Sequence, residues 1–210
     1  MSVGEPATIF ASGPGHAIWL APGVFGTSFW GPHVPGTHDT FFDDVDRAMA
    51  LVAPPFDYFA DSHRTRLGDH DWISVRRGVA WMRKRRERLE ALTRQAIIVA
   101  PNNVFGWAVA GSHRLVGMRY PSRVASTIPE AVAWLTHPQP GLASWLDHLP
   151  DRVRAASSEL ARLRRVLAEA PDTNIGDAAQ HLGLSRRNLQ RLLQAHGTTF
   201  RRERARQQQR

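Results

Sequence analysis

The sequence predicts an α/β domain with a mixed sheet and helices over residues 1–136, followed by a small all-α domain over residues 151–210. Up to residue 136, strand-like apolar runs alternate with segments of helical spacing, which is typical of helices packed on a sheet. After residue 150 only helical spacing recurs, and the charge balance changes. Residues 137–150 open with the turn-forming run HPQPG, so we predict that they form a linker between the two domains.

The elements of the first domain follow from the spacing of its apolar residues. Alternating or continuous apolar runs predict strands, and apolar residues at i, i+3 and i+4 predict helices. We expect the helices to cover the sheet that the strands form. The predicted strands are 16–21, 56–61, 95–100 and 123–128, and the predicted helices are 41–52, 72–94, 104–116 and 129–136.

Composition excludes several classes of protein. The chain of 210 residues contains no cysteine, which excludes disulfides, thiolate metal sites and a cysteine nucleophile. No apolar run approaches the ~20 residues that a membrane-spanning helix needs, and the N-terminus lacks a secretory pattern. We therefore expect a cytoplasmic protein that does not associate with membranes.

Positive charge is concentrated at one end of the chain. Residues 151–210 contain 13 arginines and 6 acidic residues, a net charge of +7 out of the total of +8. The first 150 residues hold 14 basic and 13 acidic residues, a net charge of +1. Such asymmetry indicates a nucleic-acid partner for the second domain.

The segment IGDAAQHLGLSRRNLQRLLQAH, residues 175–196, has the spacing of a helix-turn-helix. Ala179 is small, as close helix crossing requires, and Gly183 suits a turn with positive φ. Ser185 is a favourable N-cap for a second helix, since its hydroxyl accepts a hydrogen bond from an early backbone N–H. An amphipathic hairpin with a solvated basic face is the alternative. The inward apolar positions of the second helix are Leu189, Leu192 and Leu193.

The outward residues of that second helix have the chemistry of a DNA reader. Arg bonds bidentately to guanine, and Asn or Gln to adenine, in the major groove, while Arg also neutralises phosphates. We predict a DNA-binding surface in which Arg187, Asn188, Gln190 and Arg191 contact bases, Arg186, Arg201 and Arg202 contact phosphates, and Ser185 and Gln194 complete the set.

The stretch VLAEAPDTNIGDAAQHLGLSRRNLQRLLQAHGTTFRRERA resembles the first half of the AraC-type DNA-binding domain. The similarity lies in the A-A-x-x-L-G-L-S core, then N-L-Q-R-L-L, then G-T-T-F-R. Members of that family usually have two helix-turn-helix units joined by a long helix, and this sequence matches the first unit and the start of the connecting helix. The resemblance implies binding of double-stranded DNA through residues 186–196.

The first domain is similar, in the order of its segments from Phe56 to Leu135, to the STAS fold of anti-sigma-factor antagonists. That resemblance implies a domain that docks onto protein partners. Some STAS proteins are phosphorylated on a serine that opens the helix after the corresponding strand. Here Ser62 lies well before the predicted helix start near Asp71, and the Asp-Ser-Ser-Gly pattern is absent, so no such site is carried over.

The loop predicted over residues 61–71 contains carboxylates and imidazoles that could hold a metal ion. Their spacing matches no metal motif, so we expect a solvated loop and no metal site. No nucleophile–base arrangement or phosphate-binding glycine motif is present in the sequence. We accordingly predict no catalytic residues, no enzyme activity and no cofactor. The loop residues in question are Asp61, His63, Asp69, His70 and Asp71.

Taken together, these observations predict a DNA-binding transcriptional regulator with a single helix-turn-helix. One such unit buries little surface and should bind weakly by itself. We therefore expect the first domain to form a homodimer or to dock onto a protein partner, which would bring a second reader to the DNA. The competing hypothesis is an interaction module of the anti-sigma-antagonist type whose helix-turn-helix has lost its use.

Overall fold

The computed structural model describes residues 5–13, 15–31, 37–65, 72–100, 104–196 and 198–208. These residues form a mixed α/β structure with a six-stranded sheet and ten helices. The strands are β1 (Thr8–Gly13), β2 (His16–Ala21), β3 (Val24–Trp30), β4 (Phe56–Arg64), β5 (Thr93–Val99) and β6 (Ser122–Ala125). The helices are α1 (Thr37–Met49), α2 (Trp72–Lys84), α3 (Arg86–Leu92), α4 (Val104–Val116), α5 (Ile128–Ala133), α6 (Leu142–Asp147), α7 (Leu149–Glu169), α8 (Ile175–His181), α9 (Arg186–Ala195) and α10 (Phe200–Gln208).

The six strands lie in sequence order across the sheet. Strands β1, β2 and β3 form an antiparallel meander, and β3 to β6 are parallel. Parallel neighbours need crossover connections, which are right-handed in nearly all proteins. Three successive crossovers of one hand place α1, α2 with α3, and α4 on the same face of the sheet. The sheet is thus mixed, as predicted.

Each face of the sheet carries its own hydrophobic core. Neighbouring residues of a strand point to opposite faces, so Trp19 and Ile97 pack against α5, α6 and the start of α7. Ile18 and Ala96, one position away, pack on the α1 side. Both faces of the central strands are therefore buried, which explains the continuous apolar run that predicted β5.

Two strands were missed by the sequence analysis. Strands β1 and β3 flank β2, and β3 contains Gly26. In the structure Gly26 lies directly opposite Trp19 in the β2–β3 register. A Cβ at Gly26 would stand 2.1 Å from the Trp19 ring. The glycine is needed because the indole of the neighbouring strand occupies the space of a side chain.

The single helix predicted over residues 72–94 is two helices with a break at Arg85, and β5 begins at Thr93. Arg85 leaves the helical conformation at φ −114° and ψ 16°. Its guanidinium lies 5.1 Å above the Trp81 ring, and its Nε donates to Asp46 of α1 at 2.7 Å. The break between α2 and α3 therefore depends on the contact of Arg85 with α1. The local spacing of apolar residues does not indicate this contact.

The linker predicted over residues 137–150 is corrected by the structure. Residues 142–147 form α6, and its buried side chains Leu142, Trp145 and Leu146 belong to the core that also contains Trp19. Arg64 of β4 ties this helix to the sheet by donating to the Asp147 carbonyl at 2.8 Å. The prolines and glycine of HPQPG indicate a turn, which led to the prediction of a linker. The leucines and tryptophan that follow them have helical spacing, which indicates α6.

Helix α7 belongs to both parts of the molecule. Its first half buries Leu149 and Val153 in the core on the sheet. Its second half buries Leu160, Leu163 and Leu167 with α8 and α9. One continuous helix of 21 residues therefore joins the sheet to the helices that follow it.

We predict that Gly26→Ala lowers the free energy of unfolding by about 1–3 kcal/mol, because the added methyl group overlaps a buried ring. Urea unfolding followed by circular dichroism measures the change. Gly111→Ala is the matched control, since a Cβ there meets nothing within 4 Å and alanine favours a helix. Equal unfolding midpoints for Gly26→Ala and the wild type would contradict the packing described for Trp19.

Candidate nucleic-acid interface

Helices α8 and α9 are joined by a tight turn whose backbone hydrogen bonds are satisfied locally. Asn174 caps α8, since its Oδ1 accepts from the Gly176 N–H at 2.8 Å. Gly183 has a φ of +70°, which glycine adopts without strain. The Leu184 N–H then returns to the Ala179 carbonyl at 2.9 Å. The turn therefore follows the residues from which we predicted it.

Ser185 begins α9 as an N-cap. Its hydroxyl accepts a hydrogen bond from the Asn188 N–H at 3.2 Å, the interaction that the sequence predicted. Replacing a capping serine removes one of the few partners available to the first N–H groups of a helix. The hydroxyl of the predicted site residue Ser185 is therefore engaged in capping α9.

The second half of α7 packs with α8, α9 and α10 in what we call the helical unit, residues 157–208. Its core is apolar and continuous. Ala178 and Ala179 are buried where α8 crosses its neighbours, so their small size permits close approach of the helices. The core side chains of α9 are Leu189 and Leu193, which are fully buried, with Leu192 partly buried beside them.

One outward face of α9 is open to solvent. Arg186, Arg187 and Gln190 are exposed. Within the described part of the chain neither arginine forms an ion pair with an acidic side chain. Their guanidinium groups are therefore available to an external anion, and their charge adds to the +7 of residues 151–210.

A second outward face of α9 turns toward the sheet. Asn188, Arg191, Leu192 and Gln194 line a groove with β1 and α7. Arg191 Nη2 donates to Glu5 at 3.2 Å. Three of the residues predicted to contact DNA are thus exposed to solvent but stand beside the edge strand of the first domain.

Glu5 is the residue that sequence reasoning missed. It accepts from Arg191 of α9 and from Arg152 of α7 at 3.0 Å, and the Arg152 guanidinium also lies 5.8 Å from the Trp145 ring centre. All three side chains are close to half exposed, so solvent screens these ion pairs. Glu5 and Arg191 are separated by 186 residues in the chain. No local sequence pattern could therefore have predicted their ion pair.

The remaining predicted residues, Arg201 and Arg202, lie on α10 and are exposed. The structure places them on a different helix from the other seven. The Arg202 N–H donates to the Thr199 hydroxyl at 3.2 Å, which fixes the first turn of α10. Within the described residues both guanidinium groups lack an acidic partner, as expected for side chains that contact phosphate.

Helix α10 is tied to α7 through a buried carboxylate, that of Glu203. The Arg164 Nε donates to Glu203 at 2.8 Å, and the Thr198 hydroxyl donates at 2.7 Å. Burial opposes ionisation of Glu203, but these hydrogen bonds outweigh it, so the pKa of its carboxyl lies below the ordinary value of 4.5. The charge of Glu203 is therefore part of the structure of the helical unit.

Residues considered for other chemistry are placed as follows. Asp61 and His63 lie on β4, and the Asp61 Oδ1 is 2.6 Å from His63 Nδ1. Ser62 is buried and donates to the Val99 carbonyl at 3.2 Å. Asp69 and His70, together with Asp71, lie outside the described residues. Among the residues described here, no group of three or more His, Asp or Glu side chains is arranged to hold a metal ion.

The chain was compared with known proteins. It matches no protein-family model, no curated protein and no solved structure. In the described ranges, no helix combines the length and apolar character that crossing a membrane requires. The functional interpretation therefore depends on the residues of this chain and on their geometry.

We predict that Glu203→Gln lowers the free energy of unfolding by about 1–3 kcal/mol, because it removes a charged acceptor from buried hydrogen bonds. A depressed folded-state pKa means that the unfolded chain binds more protons, so stability rises with pH. The contribution is complete above pH 4.5 and falls as the pH drops through the folded-state value. Urea unfolding between pH 3 and pH 7 measures both effects.

Glu169→Gln is the matched control for Glu203, since it is the same substitution at an exposed position of α7. It should leave stability within about 0.5 kcal/mol of the wild type at every pH. A Glu203→Gln variant with wild-type stability and wild-type pH dependence would contradict the role given to this carboxylate.

Proposed function

We propose that this protein is a DNA-binding transcriptional regulator that contacts duplex DNA through α9, the second helix of an AraC-type helix-turn-helix. The observation that carries the proposal is the exposed face of α9 formed by Arg186, Arg187 and Gln190, on a helix that follows a glycine turn; neither arginine has an acidic partner among the described residues. The positive charges on this surface repel one another, which destabilises the fold slightly. The phosphates of a polyanionic partner such as DNA would neutralise them.

The dimensions of α9 suit the major groove. Its 10 residues span about 15 Å, and the groove is about 12 Å wide and admits one α-helix. With its leucines turned inward, α9 would present Arg187 and Gln190 to base edges. Arg186, one helical turn before Gln190, would contact a phosphate. The exposed arginines of α10 would contact further phosphates.

The contact of α9 with β1 divides the predicted readers into two groups. Arg187 and Gln190 face solvent, whereas Asn188 and Arg191 stand beside Glu5. If all four read DNA together, α9 must first separate from β1, because a duplex and a strand cannot occupy one side of the helix. We infer that Glu5 competes with DNA for Arg191.

A single unit of this size should bind weakly, so we propose that the first domain supplies a second reader by dimerising or by docking onto a partner. Strand β6 is an edge strand of the described sheet, and Val124 on it is 50% exposed. Leu115, at the end of α4, is 69% exposed. Exposed apolar residues beside an unpaired edge favour association with a second copy.

A second function has one observation in its favour. The position of Asn188, Arg191 and Gln194 against β1 is compatible with an interaction module whose helical unit serves as a covered edge of the sheet. In that case α9 blocks edge-to-edge pairing of β1 and has no DNA partner. The absence of DNA binding by the wild type and by a variant lacking Glu5 would favour this alternative.

We expect Arg187→Ala to weaken binding to duplex DNA by about 10-fold, since loss of a base or phosphate contact costs about 1–3 kcal/mol. Fluorescence anisotropy with a labelled random duplex at 50 mM salt measures the affinity. Arg83→Ala is the matched control: it removes the same charge from an exposed side chain of α2, outside the helical unit and away from the β6 edge proposed for association. Equal losses in both variants would show that only net charge matters and would overturn the site.

We expect Glu5→Gln to tighten binding to the same duplex about 2- to 5-fold. Loss of this carboxylate removes a competing anion from Arg191, and an exposed ion pair of this kind is worth up to about 1 kcal/mol. Glu87→Gln, an exposed acid on α3, is the control for the added charge. Weaker binding by Glu5→Gln would show that the contact between α9 and β1 assists DNA binding and would contradict the competition.

A further inference from the structure

A cavity of about 170 Å³ lies between the sheet and helices α1, α2 and α4. Eight of its 23 described lining residues are Phe, Tyr or Trp. Phe25 and Tyr58 of the sheet are stacked with their ring centres 5.6 Å apart, and Phe42 and Trp81 of the covering helices are stacked at 5.4 Å. Protein interiors are close-packed and contain few voids larger than a water molecule, so a partly open space of this size between the sheet and its helices calls for an explanation.

Helix α2 leaves this space open through a glycine. Val75, Gly78, Val79 and Met82 line the cavity, and their spacing places them on one face of the helix. A Cβ at Gly78 would meet nothing within 4 Å. Every other residue except proline has a higher helix propensity than glycine at this position. The absence of a side chain at Gly78 therefore preserves the cavity at the expense of helix propensity.

The cavity contains hydrogen-bonding groups, arranged in pairs. The Thr27 hydroxyl is 3.1 Å from the Tyr58 hydroxyl, and His113 Nδ1 is 3.1 Å from the Tyr120 hydroxyl. Each hydroxyl can both donate and accept, so a pair retains capacity for one more partner. A ligand hydroxyl could join either pair without leaving a buried group unsatisfied.

These polar groups are uncharged at neutral pH. Burial lowers the pKa of His113 to about 4 and raises the pKa of Tyr58. Among the described lining residues there is no Lys or Arg. The carboxylate of Asp61, also in the lining, is engaged by its neighbour His63. A buried anion would find no cation here and would be repelled by Asp61, so the lining favours a neutral ligand.

We propose that this cavity binds a neutral small molecule consisting of one aromatic ring with a hydroxyl group. The size agrees, since an apolar cavity of about 150 Å³ in another protein binds benzene. The stacked rings supply flat apolar walls, and the Thr27–Tyr58 pair supplies the hydrogen bond that selects a phenol over a plain hydrocarbon. The proposal does not depend on DNA binding.

The test is calorimetric titration of the full chain with p-cresol, toluene and benzoate. We expect p-cresol to bind with one site per chain, toluene to bind at least 5-fold more weakly, and benzoate not to bind at millimolar concentration. Absence of p-cresol binding at millimolar concentration would overturn the proposal. Equal affinity for benzoate and p-cresol would overturn the choice of a neutral ligand.

Two variants locate the binding. Gly78→Leu fills the cavity and should abolish p-cresol binding, whereas Gly111→Leu, at a helical glycine that does not line the cavity and is equally open, should retain it. Circular dichroism verifies that both are folded. Tyr58→Phe keeps the ring and removes the hydroxyl, so the preference for p-cresol over toluene should fall to within 2-fold. A folded Gly78→Leu that binds p-cresol as the wild type does would show that the ligand binds elsewhere. An unchanged preference in Tyr58→Phe would overturn the assignment of the ligand's hydrogen bond to the Thr27–Tyr58 pair.

Discussion

The continuity of α7 is the constraint on which the rest of the arrangement depends. Leu149 and Val153 anchor its first half on the sheet, and Leu160 and Leu163 anchor the helical unit on its second half. Because a helix of 21 residues bends little, burial at one end fixes where the other end points. The position of α9 beside β1 follows from this helix, and the ion pairs of Glu5 only complete it.

This constraint gives α9 two different environments. On one side, Arg187 and Gln190 are exposed and without acidic partners in the described structure. On the other, Arg191 meets Glu5 at the sheet edge. The pairs are half exposed and therefore weak, so a duplex that offers many phosphates can displace them. Under the proposed function, α9 covers the edge strand in one state and contacts DNA in another.

Short-range patterns in the sequence were sufficient for elements whose neighbours in space are also neighbours in the chain. The Ser185 cap, the Gly183 turn and the strand at His16–Ala21 agree with the predictions. Features set by distant contacts were not accessible: Gly26 of β3 cannot carry a side chain because the Trp19 ring of β2 fills that space. The segment of α6 was predicted to be a linker, because only the sheet on which its apolar face packs shows that this face belongs to the core. The aromatic cavity likewise combines residues from separate elements, and no motif announces it.

The most direct test of the account is the salt dependence of duplex DNA binding by the wild-type chain. The logarithm of the binding constant should fall linearly with the logarithm of salt concentration, with a slope of about −0.9 for each phosphate neutralised. Three exposed arginines, Arg186, Arg201 and Arg202, are assigned to phosphates, so the account predicts a slope of about −2.7 for one unit and about −5.4 for a dimer. A slope near zero, or no binding at 50 mM salt, would contradict it.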